Sequence, residues 1–181
     1  PPRRYRGRDF VWWLGVLGKW DLAAQEPGRE HVTIAVSGAR GGETVEHHKF
    51  SDLNRDANRF ANVLRELGAA PGDFAFVMIP RLPAWYQVMI GCIKTGVVAM
   101  PGTNLLQPKD IEYRINKSRA KIAVVTADAT GKIEQIRGNC PSLEHLIVIG
   151  GERDGWTGYD AACAAASDKL SRDDVPRTRA G

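Results

Sequence analysis

Apolar and polar positions follow one another along the chain in blocks that predict helices and strands in turn. The clearest helical pattern begins at Ser51, whose hydroxyl can cap free N–H groups. Apolar residues then recur at spacings of four and three, as expected for one face of a helix, at Leu53, Ala57, Phe60, Leu64 and Leu67. Gly68 is placed for the C-terminal cap, and Pro71 and Gly72 predict the turn that follows.

Continuous apolar runs predict strands, and helical patterns of about ten residues separate most of them. The predicted strands are HVTIAV, TVEHHKF, DFAFVMI, VVAM, KIAVVTA and LEHLIVIG. The predicted helices, after a first one in DFVWWLGVLGKWDLAAQ and the one at Ser51, are AWYQVMIGCIKT, KDIEYRINKS and TGKIEQIRG. This alternation implies parallel strands joined by right-handed crossovers. We therefore predict an α/β protein with a mostly parallel sheet and flanking helices, in which VVAM is a central strand.

Charge adds one feature, a basic start to the chain. The 181 residues are 43% apolar and 25% charged, as in ordinary soluble globular proteins. The net charge of +4 belongs to four arginines in the first eight residues, since the other 21 basic side chains equal the 21 acidic ones. Aromatic and basic residues do not interleave along one face, so we expect no nucleic-acid partner. A solvated tail over residues 1–9 is favoured over one that binds phosphate or lipid.

Cysteine usage and hydropathy indicate the compartment. Cys92, Cys140 and Cys163 are an odd, widely spaced set without a CxxC pair, which argues against disulfides and against a zinc site. The apolar stretch at residues 10–17 is too short for a membrane span, and Lys19 follows it, unlike the order of a signal peptide. We expect a cytoplasmic protein without a transmembrane segment.

Four loops at the carboxyl ends of predicted strands are candidate ligand sites, because open parallel sheets bind ligands there. These loops include residues 80–83, 101–104, 127–129 and 150–151. The segment ATGKI fails as a phosphate loop, since Thr126 stands where the first glycine is required and Ile133 replaces the Ser or Thr. Lys132, in the first turn of a predicted helix, is either a phosphate contact or a solvated side chain.

Other candidate chemistry is weak. His47 and His48 are adjacent in a predicted strand, point to opposite faces and cannot share a metal. No Ser-His-Asp or Cys-His arrangement can be drawn. We therefore assign no catalytic residue and no metal ligand from spacing alone.

Taken together, several segments resemble one enzyme family. FSDL stands where adenylate-forming acyl-CoA synthetases have an (S/T)-Y-x-E-L opening, and PGDFAFVMIPRLPAWY matches the strand and proline loop that follow. CIKTGVVAMPGT matches the family's L-K-A-G-x-x-x-x-P element. Five segments are most similar to the medium-chain branch of the family, namely IPRLPAWY, GCIKTG, MPGT, DIEYRI and CPSLEHLIV. The resemblance as a whole covers residues 10–166.

The resemblance implies a two-step reaction. A carboxylic acid, medium-chain or related, reacts with ATP and magnesium to give an acyl-adenylate and pyrophosphate, and the thiol of coenzyme A then displaces AMP. The family's Ser/Thr/Gly-rich phosphate loop, its aromatic-Thr-Glu motif, its ribose-binding Asp and its C-terminal-lobe Lys are absent from these residues. We expect this N-terminal fragment to be inactive by itself and to bind none of these cofactors tightly.

The resemblance also implies the site residues. By position, the edge of the tunnel that admits the pantetheine arm of coenzyme A is lined by Gly102, Thr103, Asn104 and Leu105. Lys132 lies near the place where related enzymes have a basic residue for the nucleotide phosphates. Lys94 is interpreted as a surface residue at a helix end, where a cation suits the helix dipole.

The resemblance implies that the chain is organised in three parts. Two other functions are alternatives to the implied activity. Residues 1–9 form the basic tail, residues 10–167 part of the AMP-binding N-terminal domain, and residues 168–181 a charged linker. The alternatives are a non-catalytic binding or interaction module that retains the scaffold, and an amino-acid-adenylating or luciferase-like branch. Strands such as VVAM and LIVIG would be covered by further structure in the whole domain. We therefore expect the isolated chain either to self-associate or to fold only marginally.

Overall fold

The computed structural model describes residues 31–37 and 43–171. The predicted first helix, the basic tail, the glycine-rich turn at residues 38–42 and the chain from residue 172 lie outside the described residues. The chain divides into two units between Asn54 and Arg55.

The first unit contains an antiparallel hairpin, as the sequence predicts. Strand β1 (His31–Ser37) pairs with strand β2 (Glu43–Lys49), with His31 opposite Lys49 and Ser37 opposite Glu43. Helix α1 (Phe50–Glu66) follows directly and continues into the second unit. Because α1 begins at Phe50, Ser51 lies inside its first turn, and the prediction that Ser51 is the cap is wrong.

The second unit contains alternating strands and helices. Its strands are β3 (Phe74–Met78), β4 (Val98–Pro101), β5 (Ile122–Thr126), β6 (His145–Ile149) and β7 (Thr157–Gly158). Its further helices are α2 (Pro83–Thr95), α3 (Pro108–Ser118), α4 (Thr130–Ile136) and α5 (Tyr159–Ala165). Short 3-10 turns lie at Ala127–Ala129 and Arg137–Asn139. The sequence pattern missed β7 and α5, and the two residues of β7 are too few to show a period.

All pairs in the five-stranded sheet are parallel, in the order β4-β3-β5-β6-β7. This confirms the predicted α/β class with a mostly parallel sheet and flanking helices. The prediction that VVAM is a central strand is wrong for the described residues, where β4 lies at the edge of the sheet and pairs with β3 alone. Its Val98 is accordingly 43% exposed.

Glycines end two of the helices, and the helix end at Gly68 was predicted. Gly68 has φ of 77°, and its N–H donates to Arg65 O at 2.9 Å while the N–H of Ala69 donates to Leu64 O at 3.0 Å. This pair of bonds is a Schellman motif, which only a residue with positive φ closes readily. Gly96 ends α2 with φ of 76° and a bond from its N–H to Ile93 O.

The core has two parts because successive strand residues point to opposite faces of the sheet. Ala75 and Val77 of β3 belong to one part, whereas Phe76 and Met78 belong to the other. The first part includes residues of α1, α2 and α5, namely Phe60, Leu64, Val88, Cys92, Tyr159 and Cys163. The second includes residues of α3 and α4, namely Ile111, Ile115, Ile133 and Ile136.

The last described residues are bound to α1. The side-chain amide of Asn58 donates to Asp168 O at 2.9 Å, and that of Asn62 donates to Ser167 O at 2.7 Å and to Lys169 O at 3.1 Å. Lys94 Nζ donates to Asn58 Oδ1 at 2.7 Å, so Lys94 connects α2 to α1 and is half-buried. Residues 167–169 are therefore fixed against α1 by three hydrogen bonds.

Candidate functional site

The carboxyl ends of the parallel strands lie along one edge of the sheet, here called the carboxyl edge. The connection that follows β4, residues 102–107, begins there and is here called the 102–107 loop. The start of α4 lies beyond the carboxyl end of β5. The predicted site residues Gly102, Thr103, Asn104 and Leu105 and the predicted Lys132 therefore belong to the same edge.

Gly102 packs the start of the loop closely on β3. Its N–H donates to Val77 O at 2.8 Å. A Cβ at this position would lie 2.9 Å from Leu106 Cδ1 and 3.0 Å from two ring carbons of Phe76. The glycine thus has a packing role within the chain itself, because any side chain here would displace Leu106 or Phe76.

The rest of the loop is held by local hydrogen bonds and presents an exposed leucine. Thr103 accepts from the N–H of Leu105 with its hydroxyl at 3.0 Å and from the N–H of Leu106 with its carbonyl at 3.1 Å. Gln107 and Asp110 form a capping box that starts α3. Leu105 is 85% exposed, so this apolar side chain is available at the carboxyl edge.

Lys132 connects helix α4, on which it lies, to the 102–107 loop. Its ammonium group donates to Asn104 O at 2.6 Å and to Leu106 O at 2.9 Å. The interpretation of Lys132 as a solvated side chain is therefore wrong, since it is half-buried and bonded to the 102–107 loop. Both acceptors are neutral carbonyls, so the bonds leave the positive charge of Lys132 in place at the carboxyl edge.

Three side chains that the sequence analysis did not select organise the neighbouring part of this edge. Arg153 donates from Nη1 to Thr130 Oγ1 at 2.8 Å and lies 3.6 Å from Glu134 Oε1. Trp156 donates from Nε1 to Glu134 Oε1 at 2.6 Å. These contacts bind the connection after β6 to α4 and so support the helix that carries Lys132. The sequence offered no signal for them, because the partners are 19 to 23 residues apart.

Thr126 is an unusual group at the end of β5. Its side chain is almost completely buried, with 7% of its surface exposed, and its hydroxyl has no hydrogen-bond partner among the described residues. Buried hydroxyls in proteins are usually bonded, so this one is a polar group with unused hydrogen-bonding capacity.

Burial dominates the pKa shifts of the three cysteines. All three cysteines, Cys92, Cys140 and Cys163, are free and buried. Burial raises the pKa of Cys92 and of Cys163 to about 12, so both stay protonated thiols near neutral pH. The described residues contain no group of three or more side chains suited to a metal ion.

None of the helices in the described part of the chain has the length and apolar character that crossing a bilayer requires.

Comparisons with known proteins identify a family. The family model described as AMP-binding enzyme matches residues 20–178. The chain is 34% identical over 169 residues to acyl-coenzyme A synthetase ACSM5, mitochondrial, of Mus musculus, covering 92% of this chain and 28% of that protein. It is 40% identical over 161 residues to acyl-coenzyme A synthetase ACSM1, mitochondrial, of Mus musculus, covering 88% of this chain and 28% of that protein. The chain thus spans little more than a quarter of the length of these relatives.

A solved structure agrees with the sequence comparisons. The anthranilate CoA ligase AuaEII, in complex with anthranoyl-AMP, superposes with a TM-score of 0.71 at 26% sequence identity. The superposition covers 83% of this chain and 28% of that protein.

Proposed function

The chain belongs to the AMP-binding enzyme family, and from that premise we propose that it is the N-terminal part of an ATP-dependent acyl-CoA synthetase. The whole enzyme would convert a carboxylic acid, ATP and coenzyme A to acyl-CoA, AMP and pyrophosphate, with magnesium bound to ATP. The names of the relatives support this reaction class. The resemblance of the motifs to the medium-chain branch is the basis for proposing a medium-chain or related acid.

We propose that the carboxyl edge serves the thioester-forming step. The observation that carries this proposal is the pair of hydrogen bonds from Lys132 to the 102–107 loop. These bonds join the 102–107 loop, which is proposed to line the pantetheine tunnel, to Lys132, which is proposed to bind the nucleotide phosphates. The chemistry of this surface suits coenzyme A, since the positive charge suits phosphates and Leu105 offers apolar contact to a narrow arm.

The first step is proposed to need groups that this sequence does not contain. Preorganised charge provides most of the stabilisation in reactions at phosphate, and the family's phosphate loop and lobe lysine are not among these residues. The chain alone is therefore proposed to make no acyl-adenylate. Residues 10–167 would form part of the N-terminal domain, and residues 168–181 would lead toward the phosphate loop.

The cytoplasmic location of the protein is a prediction that no comparison tests. The reduced cysteines support a reducing compartment. The names of the two relatives from Mus musculus contain the word mitochondrial. Subcellular fractionation of the tagged full-length protein decides between the predicted cytoplasm and the mitochondrion.

Leu105 provides the sharpest test of the proposed tunnel. Gly102 is less suitable, because a side chain there would displace Leu106 and Phe76 before it reached any ligand. Leu105→Trp adds bulk at an exposed position, so the fold is retained while the path of the pantetheine arm is narrowed. The matched control is Tyr113→Trp on α3, where the replaced side chain is 67% exposed.

The two steps are measured separately in the full-length protein that carries this sequence. Carboxylate-dependent ATP–pyrophosphate exchange reports the first step, and thioester formation reports the second. We expect Leu105→Trp to reduce thioester formation and leave exchange unchanged, whereas Tyr113→Trp changes neither. Equal loss of both steps in Leu105→Trp would show that the loop does not border the tunnel.

A further inference from the structure

We infer that Lys132 is a positioning residue that fixes the 102–107 loop for the thioester-forming step, an inference that rests on the proposed function. Its ammonium group donates to two carbonyls of the loop, Asn104 O at 2.6 Å and Leu106 O at 2.9 Å. Lys132 lies on α4, which follows β5, whereas the loop follows β4. Because β3 lies between β4 and β5 in the sheet, Lys132 bridges two connections that are not neighbours in the strand order.

Other contacts hold the two ends of the loop. At its start, the N–H of Gly102 donates to Val77 O at 2.8 Å. At its end, Gln107 forms the capping box of α3 and donates from its side-chain amide to Leu105 O at 3.3 Å. Lys132 binds the segment between these ends. The position of the segment that carries Leu105 therefore depends on the ammonium group of Lys132 together with the local hydrogen bonds to Thr103 and from Gln107.

The chemistry of lysine suits this role and leaves capacity for a second one. An ammonium group has three donors on a flexible stem, so it can bind two carbonyls that point in different directions. Two of the three N–H donors bind the loop, so the third donor and the full positive charge are available to bind an anion. Positioning of the loop and attraction of an anion would thus come from one side chain, and the two contributions are separable by experiment.

The first experiment tests the position of the loop in the 181-residue chain itself. Lys132→Met keeps a long aliphatic side chain and removes the donors. The readout is hydrogen–deuterium exchange of the peptide that covers residues 102–107, where the amides of Leu105 and Leu106 are bonded within the loop. We expect these amides to exchange about tenfold faster, because two hydrogen bonds that restrain the loop are lost.

The matched control is Lys109→Met, which removes the same charge from an exposed position in the first turn of α3. We expect no change in the loop with this variant. Lys132→Arg, which keeps donors, is expected to retain part of the protection. A thermal melt verifies that each variant is folded. Unchanged exchange in folded Lys132→Met, or the same increase in Lys109→Met, would overturn the inference.

The second experiment separates positioning from phosphate binding in the full-length protein. Thioester formation is measured with coenzyme A and with pantetheine, which has the thiol arm but no nucleotide phosphates. We expect Lys132→Met to reduce kcat/KM by about tenfold or more with both thiols, since small displacements of positioning groups have effects of this size. ATP–pyrophosphate exchange should be unchanged. A loss with coenzyme A alone would mean that Lys132 acts only on phosphate and would overturn the positioning role.

The two experiments fail in different ways. If the full-length protein forms no thioester with either thiol, the proposed function is wrong, and hydrogen exchange still decides whether Lys132 holds the loop. If hydrogen exchange shows no dependence on Lys132 while thioester formation is intact, the positioning inference is wrong and the proposed function stands.

Discussion

The two edges of the parallel sheet each contain a lysine that binds another part of the chain, but the partners differ. At the edge formed by the amino ends of the strands, the amino edge, Lys121 Nζ lies 2.9 Å from Asp73 Oδ1. At the carboxyl edge, Lys132 donates to two backbone carbonyls. A carboxylate cancels the charge of its lysine, whereas carbonyls leave that charge in place. The amino edge is thus neutralised, and the carboxyl edge retains a positive group suited to an anionic ligand.

Backbone contacts strengthen this contrast. At the amino edge, the N–H of Lys121 donates to Phe74 O, and its carbonyl accepts from the N–H groups of Glu144 and His145. A hydrogen bond from the N–H of Ala70 lowers the pKa of Asp73, and the contact with Lys121 lowers it further, while burial acts in the opposite direction. The same contact raises the pKa of Lys121. We therefore propose that these contacts at the amino edge stabilise the fold and that the carboxyl edge is the part that binds a ligand.

The largest change in stability is expected at Gly102. Gly102→Leu should destabilise the chain by about 1–3 kcal/mol, because the added side chain meets Leu106 and Phe76 in a packed core. The control is Gly131→Ala at the start of α4, where an added Cβ meets nothing within 4 Å. That variant should be neutral or more stable by about 0.5 kcal/mol. Urea denaturation measures both, and equal stability of the two variants would show that the carboxyl edge is not packed as described.

A smaller effect is expected at the amino edge from Asp73→Asn. The loss should be about 1 kcal/mol at neutral pH, since Lys121 is 41% exposed and its attraction to Asp73 is screened by solvent. Because the folded-state pKa of Asp73 is lowered, its contribution is complete above the ordinary value of 3.8 and is lost as pH falls through the folded pKa. Thermal melts of both proteins between about pH 2 and 7 should therefore converge at the acidic end. Parallel curves across this range would contradict the ion-pair account.

A third prediction concerns self-association through strand β4, the outermost strand of the sheet in the described residues. In the described residues β4 pairs with β3 alone and Val98 is 43% exposed, so this strand offers a free edge to a second chain. Val98→Lys should reduce self-association of the isolated chain with little effect on its unfolding free energy. Tyr113→Lys, at another exposed position on α3, is the control. Sedimentation velocity that shows the same association for wild type and Val98→Lys would exclude β4 as the contact.

The local features of the fold could be predicted from the sequence, whereas the order of the strands could not. The period of α1 and the glycine at position 68 are local signals, and the structure confirms the helix and the helix end that they predict. The edge position of β4 depends on pairing between distant segments, which an apolar run of four residues does not encode. The two residues of β7 pair with β6 across the connection at residues 150–156 and give no pattern of their own.

The candidate site was predictable in its location but not in its contacts. The carboxyl ends of parallel strands define the edge, and the resemblance gives residue numbers there. The hydrogen bonds of Lys132 connect residues that are 26 and 28 positions apart in sequence. The local sequence around Lys132 therefore could not show whether its side chain is solvated. The packing of Gly102 on Phe76 similarly requires the register between β3 and β4.

The central claim is that the carboxyl edge acts in thioester formation while the amino edge acts in stability alone. The most direct measurement compares Lys132→Met with Lys121→Met in the full-length protein, as the ratio of thioester formation to ATP–pyrophosphate exchange. We expect this ratio to fall by about 10- to 100-fold in Lys132→Met, because a displaced loop impairs only the second step. Lys121→Met should lower the melting temperature and leave the ratio unchanged. An equal change of the ratio in both variants, or an unchanged ratio in Lys132→Met, would contradict the account.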